Sequence, residues 1–271
     1  MHLSKEYFNH DIFRKIDFFI ESYDYLSTSA SSYIQRGLSS ITNTDSIIYS
    51  SLKGTLESIK YILNNGRIND AFALVRKYYE GIIIDIYKSV YIIEKHDIFK
   101  SLYVEQIEKW FKGEDKLPEY KNMIKYLNRV QILNDIRQFY DIQSDGYYNK
   151  IKEKCNANLH YNKFTYMLLN NSDYYLKGRE TYLSLMLTCI SSIFEFHIAC
   201  IFILHTEYLT SSDYVNCLDC GIQPIENSQH WISPFGEELF NELWKNKETV
   251  AQYIKSSTYL VFSDEKTTPN P

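Results

Sequence analysis

Glycine and proline are scarce, with only 9 and 5 of them in a chain of 271 residues. Sandwiches and barrels turn about every eight to twelve residues, and their turns draw on these two residue types. The shortage therefore excludes an architecture of many short strands and favours long helices with few connections. Cysteine is sparse and odd in number, five residues at positions 155, 189, 200, 217 and 220. That is no disulfide framework. A basic excess is missing too: 29 Lys and Arg against 34 Asp and Glu leave a net charge of −5. The chain as a whole does not advertise nucleic-acid binding, so such a function needs a local patch. The N-terminal MHLSKEYFNHDIF lacks a basic stretch followed by an apolar core, and no signal peptide is expected. Together with the unpaired cysteines, this points to a cytoplasmic protein.

Tyrosine is abundant: 25 residues against 15 Phe and 3 Trp. Its apolar body and polar tip suit half-buried seams and binding faces. One long apolar run, YLSLMLTCISSIFEFHIACIFIL at 182–204, has the length of a membrane span. Glu195 and His197 near its middle would be costly there, and the preferred reading is the central buried helix of a bundle.

Three-to-four spacing of apolar residues predicts helices over 5–28, 42–66, 69–95 and 95–113, with a break near Asp97. Two short helices are expected within 118–140, one over 144–160, and a long one over 177–209. STSASS at 27–32 reads as a loop or weak helix end. KFTYMLLNNSDYY at 163–175 reads as a connector whose apolar residues pack inward. Residues 210–234 form the longest irregular stretch, after which Ser233 and Pro234 mark a helix start. No repeat at a fixed period is present. The expected fold class is all-α: a helical bundle at 1–209 with a long central helix, a small irregular C-terminal segment with short helices at 210–262, and a disordered tail at 263–271.

Three places could carry chemistry. Arg76 and Glu80 are four apart on one helix face within a stripe of large apolar residues. They read either as an ion pair that fixes helix register or as a phosphate-binding arginine held by an acid. In KEKCNANLHYNKF, 152–164, Asn156 and His160 are also four apart. Lys154, six from His160, lies about 120° aside on a continuous helix and converges with it only if the helix ends between them. An imidazole titrates near neutrality and can take a proton from a ribose 2′-hydroxyl while a cation steadies the phosphate. The plain alternative is a His and Asn satisfying backbone groups at a helix end. The third is CLDCG, where Cys217, Cys220 and, ten residues on, His230 make half a zinc signature. Two reduced cysteines packed in a loop are the alternative, and no other cofactor is expected.

LVRKYYEGIIIDIY followed at a distance by KCNANLHYN, with CLDCG and HWISPF beyond, resembles a family of bacterial all-helical proteins. In that family an arginine and an acid share one helix, and an N-x-x-x-H stretch lies on a later one. More distantly the pattern is similar to the HEPN superfamily, whose members are helical bundles, often dimeric, found in toxin–antitoxin, abortive-infection and other phage-defence systems. Its active members cut RNA with an Arg-x(4–6)-His motif at a dimer interface. Here Lys154 to His160 has that spacing, with lysine in place of arginine; lysine cannot make the planar bidentate contact. The resemblance implies a homodimer acting on RNA, either as a metal-independent endoribonuclease or as an inactive relative. His160 would be the general base, Lys154 and Arg76 would contact phosphate, Asn156 would orient the substrate and Glu80 would hold Arg76. The competing expectation is a non-catalytic helical interaction protein that binds a protein partner or itself through tyrosine-rich faces.

Overall fold

The computed structural model describes residues 3–35, 41–95, 104–140, 147–170 and 178–263. The expected break near Asp97 and the tail beyond residue 263 lie outside them. The fold is an all-α bundle with a long central helix. Helices run in the order α1 Lys5–Phe8, α2 Ile12–Gln35, α3 Ile41–Asn64, α4 Ile68–Lys95, α5 Glu105–Phe111, α6 Tyr120–Leu127 and α7 Asn134–Phe139. There follow α8 Tyr147–Leu159, α9 Phe164–Leu168, α10 Arg179–Leu204, α11 Asp213–Asp219, α12 Pro234–Trp244 and α13 Glu248–Ser257. The chain divides into two compact units, Met1–His197 and Ile198–Pro271. The boundary falls inside α10 rather than after it, because the last turns of that helix pack with the C-terminal elements.

In the first unit the apolar stripes read from the sequence become the core. Ile12, Ile16, Phe19, Tyr23 and Leu26 of α2 are buried, as are Leu52, Leu56, Ile59 and Leu63 of α3. Helix α4 packs against α3, α6 and α8. Serines do not end α2 at 27–32. Ser27 and Ser31 hydrogen bond to Ser46 of α3, and Ser32 bonds back to Ser29 O, so the hydroxyls that compete with a free helix are spent within the bundle. Gly66, at φ +71°, closes the turn after α3 in the left-handed conformation that glycine adopts without penalty.

Helix α10 is long and apolar enough to cross a membrane by length and composition, and 61% of its most apolar window is buried inside the protein. The two polar residues at its middle are paired within the first unit: Tyr140 OH donates to Glu195 at 2.9 Å, and both ring nitrogens of His197 are hydrogen bonded.

The second unit has its own core of Phe202, Leu209, Ile232, Leu239, Phe240, Trp244, Ile254 and Phe262. Ser233 caps α12 as the sequence predicts, its Oγ accepting from Gly236 N at 3.0 Å with Pro234 next in line. Short bridges Thr210–Ile232 and Trp231–Val261 tie its irregular segments.

Burial raises the proton affinity of several acids in the first unit. The Cys155 thiol is pushed up to about 12, the Cys189 thiol to about 11 and the Tyr79 phenol to about 12, and burial also pushes up the Tyr7, Tyr23, Tyr78 and Tyr120 phenols. An unfolded chain loses these protons from about pH 9 for thiols and about pH 10 for phenols. The folded chain keeps them, so their contribution is intact below that range and is lost as pH rises through it, on the order of 1.4 kcal/mol per pH unit for each group. Titration followed by tyrosinate absorbance and helical circular dichroism should show exposed tyrosines ionising first and the core set ionising together with loss of helix. One smooth titration with helix retained would contradict this.

Candidate functional site

Arg76 and Asn156 lie 80 residues apart, and the packing of α8 on α4 brings them together. Arg76 Nε donates to Glu80 Oε1 at 3.0 Å, and Nη1 donates to Asn156 Oδ1 at 2.6 Å. The guanidinium is thus gripped from its own helix and from α8. Its side chain stays 32% exposed, and Nη2 has no hydrogen bond among the described residues. A fork held on two sides with one edge open is pre-oriented for an oxyanion.

Tyr120 of α6 closes the same corner, a residue the sequence did not single out. It packs edge-on to Tyr79 and beneath the Lys152 ammonium, 4.8 Å from its ring centre. Its phenol is raised first by burial, then by Tyr79 and Glu80, with Arg76 opposing.

Helix α8 continues without a break past Asn156. His160 N bonds to Asn156 O at 3.0 Å, placing His160 in the last turn on the Asn156 face. The chain then leaves through a Schellman turn: Tyr161 N bonds to Asn158 O and Asn162 N to Ala157 O, both at 3.1 Å. His160 is exposed, with no side-chain hydrogen bond among the described residues. The last helical residue is Leu159 and His160 follows in the capping turn, while Lys154, six residues earlier, stands about 120° from the Asn156 face of an ideal helix. Burial raises the Cys155 and Cys189 thiols, and the Lys154 charge opposes it at both. Of the residues picked from sequence, the fold gathers Arg76, Glu80 and Asn156 and sets His160 one turn beyond Asn156.

A ladder of hydrogen bonds fixes this corner. Asn69 Nδ2 donates to Asn158 O, Asn170 Nδ2 to Asp70 Oδ1, and Asn170 Oδ1 accepts from Asp70 N. The buried Arg179 joins Gly66 O to Leu169 O through Nη2, at 2.9 and 3.0 Å. The start of α4 thus holds the segment that follows α8 at both ends.

A second polar cluster is walled off from water. Lys88 Nζ contacts both Asp85, at 3.0 Å, and Asp45, and all three are buried. Asp85 Oδ2 lies 2.9 Å from His197 Nε2, His197 Nδ1 lies 2.8 Å from Tyr23 OH, and Tyr23 OH lies 2.9 Å from Tyr78 OH. One direction of protons satisfies the row: Tyr78 donates to Tyr23, Tyr23 to Nδ1, and Nε2–H to Asp85. Burial pulls the Lys88 amine down, and the two carboxylates against it work the other way. With no exposure to substrate, this cluster ties α2, α3, α4 and α10 together.

Cys217, half-buried near the end of α11, and the exposed Cys220 are reduced, and His230 stacks edge-on to Tyr259 at 5.2 Å. Among the described residues no three His, Cys, Asp or Glu side chains gather as metal ligands, so the half signature is not completed there.

Comparison with family models, with curated proteins and with solved structures finds no match for this chain.

Proposed function

We propose that the chain acts on RNA as a HEPN-like, metal-independent endoribonuclease in a bacterial defence or toxin–antitoxin setting. The observation that supports this reading is the Arg76 fork, braced by Glu80 and by Asn156 with Nη2 open, where the helix of Asn156 carries an exposed imidazole one turn farther on at His160. In this reading Arg76 binds the scissile phosphate and His160 takes the proton from the 2′-hydroxyl. O2′ attacks phosphorus, the bond to the 5′ oxygen breaks, and that oxygen takes a proton from water, so the products are a 2′,3′-cyclic phosphate and a 5′-hydroxyl. Glu80 and Asn156 position the arginine. Lys154, about 120° aside on α8, adds a second cation for the phosphate. The protein works in the cytoplasm as a homodimer.

The test is incubation of end-labelled single-stranded RNA with the purified chain in excess chelator. Products ending in cyclic phosphate support the reading; intact RNA, or products ending in 3′-hydroxyl, contradict it. A second reading, a non-catalytic relative that binds a protein partner, is favoured by the lysine at 154 where the resemblance has an arginine, because lysine lacks the planar fork. Intact RNA together with stable self-association would support that reading.

A further inference from the structure

We infer that the segment joining α8 to α9 is a stacking platform for the unpaired bases of an RNA strand whose phosphate sits at Arg76. This inference rests on the function proposed above and names the form of RNA that the site takes. The sequence expectation was that the apolar residues of 163–175 pack inward. Among the described ones only Leu169 is fully buried; Phe164 is 72% exposed, and Leu159, Tyr161 and Met167 also face water.

These side chains are not displayed by a loose loop. Asn69 holds Asn158 O at one end, and Arg179 and Asp70 hold Leu169 and Asn170 at the other. Tyr161 occupies the C′ position of the Schellman turn at φ +48°, where glycine is the usual residue. A ring is thus kept at a strained position, and Asn170 Nδ2 donates to its hydroxyl at 3.3 Å. Such strain points toward function.

Charge says which partner fits. The chain carries −5 overall, yet residues 147–170 hold Lys150, Lys152, Lys154 and Lys163 against the single acid Glu153. Lys163 is exposed between Tyr161 and Phe164, and His160 is exposed next to Tyr161. Rings alternating with cations suit a strand with splayed bases and a phosphate backbone, because every base offers a π-face. A duplex hides those faces.

The test measures binding of an uncleavable 2′-O-methyl RNA of about 12 nucleotides, as a single strand and as a duplex, by fluorescence anisotropy. Wild type is compared with Tyr161→Gly, which keeps the turn and removes the ring, and with Phe164→Ser. Thermal melts and solution mass are measured alongside. Each variant should bind the strand roughly 5- to 150-fold more weakly and the duplex unchanged, with melting no lower than wild type. Wild type binding neither RNA would overturn both the proposed function and the platform. Wild type binding the strand, with both variants equal to it, would overturn the platform and leave the phosphate site standing. Equal weakening toward strand and duplex would also overturn it. So would a change in solution mass with RNA binding untouched, which would make the patch a contact between proteins.

Discussion

Replacing Lys88 by methionine is expected to cost about 3–5 kcal/mol of folding stability. The ammonium lies against both Asp45 and Asp85 where none of the three side chains reaches water. Removing it leaves two carboxylates facing each other in a low-dielectric interior, which is far worse than never having buried the set. For a chain of this size the loss should lower the melting temperature by roughly 6–20 °C. Adding Asp45→Asn removes one of the stranded charges, so the double variant should melt above Lys88→Met alone, and the cycle should show strong coupling. Melting within a degree of wild type would show that the cluster does not hold the four helices. The row from Asp85 through His197 to Tyr23 makes a related point: each of its members comes from a different helix, so each helix is registered against the others by a directional bond.

Much of this arrangement was legible in part. The three-to-four spacing of apolar residues placed α2, α3 and α4, and the scarcity of glycine and proline foretold few turns. Ser233 and Pro234 announced α12 because a cap and a first helical residue are local chemistry. The region 210–234 reads as irregular, yet α11 occupies Asp213–Asp219, seven residues in which Tyr214, Val215 and Leu218 are too few to repeat a helical spacing. Asp85 and Lys88 stood in the sequence as a pair three apart within GIIIDIYKSVYII. That they meet Asp45 and His197 depends on which helix faces touch, and a periodic pattern gives each face without naming its partner.

The candidate site divides in the same way. The link from Arg76 to Glu80 followed from their spacing alone. The link from Arg76 to Asn156 needed the packing of α8 on α4, as did the place of Tyr120. Where α8 ends decides how Lys154 relates to His160, and the backbone bond from His160 to Asn156 puts that end at Leu159, later than the run of asparagines suggests. The outward turn of Phe164 and Met167 had no local signal, since their spacing suits a buried connector equally well.

The proposed chemistry stands most directly on His160. Its imidazole is exposed and supports no side-chain bond among the described residues, so His160→Ala should leave the melting temperature unchanged. A positioned general base contributes about 10²–10⁴-fold to a proton-transfer step. The measurement is single-turnover cleavage of a labelled single-stranded RNA in chelator, wild type against His160→Ala, with melts of both. The account predicts matched melts and a rate lower by that factor in the variant. Equal rates for the two proteins would contradict it and remove His160 from the reaction.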